Sequence, residues 1–159
     1  MMITSEDKAY LLQCIELAKK ALENGDEPFG SLLVSAKGDI LFEDHNHVSS
    51  GDQTQHPEFA IARWAAAHLT AEERKVATVY TSGEHCPMCA AAHGLVGLGR
   101  IVYVSSSKQL REWKKEIGLE PGNLHPLAIE DVVKSISVDG PDEELAEEVK
   151  RLHVLKHST

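Results

Sequence analysis

Thiols and aromatic rings are scarce in this chain. Its 159 residues include three cysteines, three phenylalanines, three tyrosines and two tryptophans. An odd, small number of thiols excludes a fully paired disulfide framework. Long apolar runs are missing too, and none approaches the roughly 20 residues that cross a bilayer, so no membrane contact is expected. Met1 to Tyr10 holds Glu6, Asp7 and Lys8 and lacks the apolar stretch of a secretion signal, which makes a cytoplasmic location the expectation. Positive charge is also in deficit: 16 Lys and Arg stand against 25 Asp and Glu, a formal net charge of −9. Basic pairs such as Lys114-Lys115 and Lys150-Arg151 lie among glutamates. A phosphate backbone is repelled by such a surface, so no long nucleic-acid partner is expected. Repeats, low-complexity tracts and linkers are lacking as well.

What is present suits one globular domain over 1–159, with 42% hydrophobic and 26% charged residues. Helical spacing of apolar residues predicts a helix over Lys8–Leu22, capped by Ser5 and ended by Gly25. Phe29–Ser35 and Ile40–Phe42 read as a hairpin around the turn Lys37-Gly38-Asp39. After a polar loop from Asp44 to Gln55, Pro57 opens an Ala-rich helix over Phe59–Leu69. Val76–Thr81 reads as a strand, Met88–Val96 as a helix opened by Pro87, and Ile101–Val104 as a strand. Lys108–Ile117, Pro126–Val133 and a charged segment from Pro141 to near His157 read as helices, making 107–159 a helical C-terminal region. Strands alternating with helices imply an α/β protein, a mixed sheet with helices on its faces.

Two short motifs carry chemistry. Cys86-Pro87-Met88-Cys89 places two thiols in the first turn of a helix, where the partial positive charge favours thiolates and both can meet one metal ion. His56-Pro57-Glu58 opens another helix. His56 is a candidate third ligand, and Glu58 is placed to reach a water on the metal without binding the metal itself. A structural zinc needs four protein ligands. His93, one turn beyond Cys89, is a possible fourth, while His85 is bonded to a ligand residue and is awkward. A redox dithiol and a chance C-x-x-C are the competing readings.

H-x-E followed by P-C-x-x-C is the signature of the zinc deaminases, and the chain resembles the cytidine deaminase-like superfamily, nearest its small nucleobase deaminase branch. Pro28-Phe29-Gly30, Asn46, Asp52-x-Thr54-x-His56 and Tyr80-Thr81-Ser82-Gly83-Glu84 extend the resemblance over about residues 5 to 105. Pro57 stands where the family usually has Ala, and His85 where it has Pro. The resemblance implies a three-layer α/β/α sandwich with about five strands. It implies one Zn2+ per chain held by His56, Cys86 and Cys89, with Glu58 as the proton shuttle. It implies hydrolytic release of ammonia from a free nucleobase or related ring: guanine, cytosine, isocytosine or an s-triazine. The alternatives are a nucleoside or tRNA adenosine deaminase and, in another class, a non-catalytic zinc-stabilised binding domain. Phe29, Asn46, Glu84, His85 and Trp113 are the candidate substrate contacts, each with a structural role as its rival. For Glu84 that rival is hydrogen bonding to backbone amides in the metal loop. Glu112 and Glu116 are weaker candidates for a second acid. The resemblance further implies a homodimer and a C-terminal segment, with His153 and His157, that caps a site in its own or the partner chain.

Overall fold

The computed structural model describes residues 2–158. Its first helix, α1, spans Ser5–Glu23, and the cap is Thr4 rather than Ser5. The Thr4 hydroxyl accepts from the Asp7 N–H while the Asp7 carboxylate accepts from the Thr4 N–H, so two orphan donors are satisfied reciprocally. Strand β1 (Gly30–Val34) is buried along its whole length and β2 (Ile40–His45) is more exposed. Helix α2 (Pro57–His68) precedes a short α3 (Ala71–Lys75), which Thr70 and Glu73 close with a second capping box. Next come β3 (Thr78–Gly83), α4 (Pro87–Leu95), β4 (Ile101–Ser105) and α5 (Ser107–Glu116). The chain closes with α6 (Ile129–Val132), a two-residue β5 (Val138–Asp139) and α7 (Glu143–Lys156).

The five strands form one mixed sheet in the order β2-β1-β3-β4-β5. β1 runs antiparallel to both β2 and β3, whereas β3, β4 and β5 are parallel. Side chains alternate across a strand, so β1, β3 and β4 each feed two cores. Leu32, Val34, Tyr80, Val102 and Val104 pack with Leu11, Cys14 and Ile15 of α1, Trp113 of α5, and Val149 and Leu152 of α7. Leu33 and Val79 point the other way, onto Ile61, Ala62 and Ala65 of α2. The architecture is the expected α/β/α sandwich. No helix among the described residues is long and apolar enough to cross a membrane.

Several boundaries differ from the sequence reading. The third strand runs to Gly83, because Thr81 and Ser82 are polar yet fully buried. The helix expected over Pro126–Val133 shrinks to a single turn from Ile129. The last helix starts at Glu143, since the Asp142 carboxylate accepts from the Leu145 N–H and makes Asp142 the cap in place of Pro141. A buried ion-pair network ties the layers together. Arg100 donates to both Asp7 oxygens at 3.0 Å and to Asp139 at 2.9 Å, and the Tyr80 hydroxyl donates to Asp7 at 2.7 Å.

Candidate active site

His56 is the N-cap of α2 and Cys86 the N-cap of α4. Each is followed by proline at the first helical position, where a missing N–H costs nothing. β3 delivers Cys86 at its carboxyl end, and α2 packs beside α4, so the two helix starts converge. Nδ1 of His56 lies 3.6 Å from Sγ of Cys86 and 3.5 Å from Sγ of Cys89. All three donor atoms fall within 4.8 Å of one another. The backbone at Gln53 accepts from the His56 ring, an outer contact that orients the imidazole. A hydrogen bond from the Cys89 thiol, opposed by burial and aided by His56, pushes the Cys86 thiol down to about 4. Cys89, which keeps the shared proton and is deeply buried, is pushed up.

The donor set fits a zinc ion with one open position: two sulfurs, one imidazole nitrogen, and no fourth protein ligand in the cluster among the described residues. The candidate fourth ligands point elsewhere. Nε2 of His93 lies 2.7 Å from the Gly99 carbonyl and donates to it, which anchors the end of α4. The His85 ring is fully buried and stands edge-on to His93, with centroids 5.3 Å apart.

Glu58, in the first turn of α2, is 5% exposed. Burial pushes its carboxyl up to about 7, so the group sits where it can both take and give a proton. Oγ of Ser31 lies 3.2 Å from Glu58 Oε1 and 2.8 Å from Thr81 Oγ1. Thr81 Oγ1 also lies 3.0 Å from the Gly83 carbonyl, and donation from Thr81 to Ser31 is what leaves the one Ser31 hydroxyl hydrogen for Glu58. Ser31 is on the same face of β1 as Leu33, the face that α2 covers, and this is why it meets Glu58. The sequence reading missed Ser31; its only signal there is one hydroxyl in an otherwise apolar strand.

Of the remaining candidates, Asn46, Phe29, His153 and Trp113 form a chain of neighbours, the Trp113 and His153 ring centroids being 6.2 Å apart. Asn46 is buried beside the end of β2, with its N–H on the Phe29 carbonyl at 3.0 Å and its Oδ1 accepting from the Val48 N–H at 3.0 Å. Phe29 is half-buried against the ring of His153, centroid to centroid 5.0 Å. Glu84 uses both oxygens on backbone amides, not those expected in the metal loop but Ser107 N–H at 2.9 Å and Ile129 N–H at 3.1 Å. It thereby pins the starts of α5 and α6 to the end of β3. Trp113 lies in the α1–α7 side of the core. Glu112 and Glu116 are exposed on α5, the latter paired with Lys150 at 3.5 Å. His153 is buried on α7, and His157 faces Glu27 at 3.5 Å. α7 packs on α1, α5 and β4 of its own chain.

Residues 4–105 match the family described as the cytidine and deoxycytidylate deaminase zinc-binding region. A probable cytosine deaminase of Schizosaccharomyces pombe is 30% identical over 73% of this chain and 70% of its own. The tRNA-specific adenosine deaminase of Bacillus subtilis is 33% identical over 62% of each chain. Among solved structures, the guanine deaminase of Bacillus subtilis superposes with a TM-score of 0.59 at 26% identity, covering 88% of this chain and 89% of that one. The guanine deaminase of Nitrosomonas europaea gives 0.69 over 100% of this chain and 87% of that one, at an 18% identity that speaks for the fold alone.

Proposed function

Since the chain belongs to the cytidine and deoxycytidylate deaminase family, we propose that it is a zinc-dependent aminohydrolase of a free nucleobase or a closely related ring. The observation that carries the reading is the pairing of a three-donor cluster with a buried, hydrogen-bonded carboxylate two residues after His56 in the first turn of α2. His56, Cys86 and Cys89 would hold the zinc, which supplies a Lewis acid and an acidified water when bound. Glu58 then acts at its Oε atoms. It takes one proton from the attacking water and passes it to a ring nitrogen, then takes the second from the new C–O–H group and delivers it to the amine as the C–N bond breaks, leaving a ring carbonyl and ammonia. Ser31 holds Oε1 so that one carboxylate orientation serves these transfers. Burial of Glu58 excludes bulk water from the shuttle.

A free base is favoured over tRNA by the net charge of −9, because an RNA backbone calls for a basic face. The test is ammonia release by the zinc-loaded protein from guanine, cytosine, isocytosine, s-triazines, nucleosides and tRNA. Turnover of a free base supports the proposal and identifies the ring. Turnover of nucleosides or tRNA alone refutes the free-base reading, and no turnover of any with one zinc bound leaves the non-catalytic zinc domain. By the family resemblance, we further propose a homodimer.

A further inference from the structure

A second cluster of metal-type donors lies apart from the first. Donor atoms of Asp26, in the loop between α1 and β1, and of His45 and His47, at and just beyond the end of β2, fall within 4.8 Å of one another. The hydrogen bonds around them fix which atoms are free. Nδ1 of His45 stands 2.9 Å from the Asn46 carbonyl. A carbonyl can only accept, so Nδ1 carries the hydrogen and the Nε2 lone pair of the neutral ring is bare. Nε2 of His47 stands 3.0 Å from Oδ1 of Asp44. A carboxylate likewise only accepts, so the Nδ1 lone pair of His47 is bare. Oδ1 of Asp26 accepts from the Ser49 N–H at 2.9 Å and the Ser49 hydroxyl also bonds the carboxylate, which holds it in place while its remaining lone pairs can meet a cation.

These are the outer contacts that metal-binding imidazoles make: one ring N–H given to a carbonyl or carboxylate, the other nitrogen turned to the ion. The two rings lie close, with centroids 4.3 Å apart, and Asp26 and His45 are buried while His47 is exposed. Ligands of one tetrahedral zinc stand roughly 3.3 Å apart at bonds of about 2.0–2.1 Å. Rotation of the exposed His47 side chain supplies the closure. Two imidazoles and a carboxylate suit zinc or another borderline divalent ion, with the remaining positions taken by water.

We propose that Asp26, His45 and His47 form a second divalent-cation site, distinct from the His56–Cys86–Cys89 cluster. Its occupancy clamps the chain on both sides of Asn46 to the loop after α1, and hence the segment that leads to His56, since His47 N–H donates to the Gln55 carbonyl.

The test is Co2+ and Zn2+ binding to metal-free, reduced protein, read by equilibrium dialysis and by absorption. The cobalt–thiolate charge-transfer band reports the cysteine cluster and, with it, the intact fold. Wild type is expected to take two equivalents, of which only one generates the thiolate band. His47→Ala is expected to weaken the second equivalent by more than about a hundredfold, and Asp44→Asn, which removes only an outer contact, by about 10- to 100-fold, with the thiolate band unchanged in both. One equivalent in wild type, or a second equivalent that survives His47→Ala, overturns the assignment.

Discussion

Asp7 is the most heavily used carboxylate in the fold, and replacing it by alanine is expected to cost about 3–5 kcal/mol of stability at neutral pH. The figure follows from what is lost. Asp7 accepts from Thr4 N–H, from the Tyr80 hydroxyl and from two Arg100 nitrogens, and its side chain is 5% exposed. In Asp7→Ala the Arg100 guanidinium keeps Asp139, so the charge is not wholly stranded. The Tyr80 hydroxyl is left buried without an acceptor, which alone costs about 1–3 kcal/mol, and α1 loses half of its capping box. Such a loss is a large part of the roughly 5–15 kcal/mol that holds a domain together. The effect also has a pH signature. Burial pushes the Asp7 carboxyl up, but hydrogen bonds from Arg100, Thr4 and Tyr80 together bring it well below its ordinary 3.8. A depressed folded pKa contributes stability that is complete above 3.8 and lost as pH falls below it. Urea unfolding of wild type and Asp7→Ala should therefore differ most at neutral pH and converge progressively below about pH 4. A difference under about 1 kcal/mol at pH 7, or one that grows in acid, would refute the reasoning.

Other residues give independent tests. Burial pushes the ring of His153 down to about 3 from 6.5, so the protein should lose up to about 1.4 kcal/mol per pH unit as pH falls below 6.5; His153→Phe should flatten that slope in urea melts, and an unchanged slope would place the acid sensitivity elsewhere. Ser31→Ala removes the hydroxyl that holds Glu58 and should lower kcat by about 10- to 100-fold with zinc content and KM little changed; a normal kcat would show that Glu58 is held by packing alone. Gly30→Ala sets a methyl against the Cys14 carbonyl and Leu17 Cβ, and overpacking of this kind costs about 1–3 kcal/mol or more, measurable as a lower urea midpoint. Glu84→Gln leaves the Ser107 or Ile129 amide facing an NH2 group, and faster hydrogen exchange at the starts of α5 and α6 should reveal it.

The His56, Cys86 and Cys89 cluster was legible in the sequence because it is written in short segments. His56-Pro57-Glu58 and Cys86-Pro87-Met88-Cys89 each combine a chemical group with a proline that marks a helix start, so the fold has little freedom in where to put them. The alternation of apolar strands and helices likewise announced a mixed sheet with helices on its faces, and the family resemblance implied the three-layer sandwich. Contacts between distant segments were not legible. Ser31 meets Glu58 only because β1 turns that face to α2, and Glu84 is drawn to amides contributed by residues 107 and 129. β5 is two residues long and is held by pairing with Ile101 and Val102 rather than by a pattern of its own. The Thr4 cap escaped notice because Ser5, beside it, offers the same hydroxyl.

The most direct test of the central claim is Glu58→Gln, a nearly isosteric change that removes the proton acceptor and leaves the three metal donors in place. Zinc per chain and steady-state ammonia release from the preferred ring are measured together. The account predicts one zinc at the His56–Cys86–Cys89 cluster in both proteins and a fall in kcat of at least about 100-fold, the lower range for loss of a general acid–base group. Undiminished turnover in Glu58→Gln with zinc retained would contradict it.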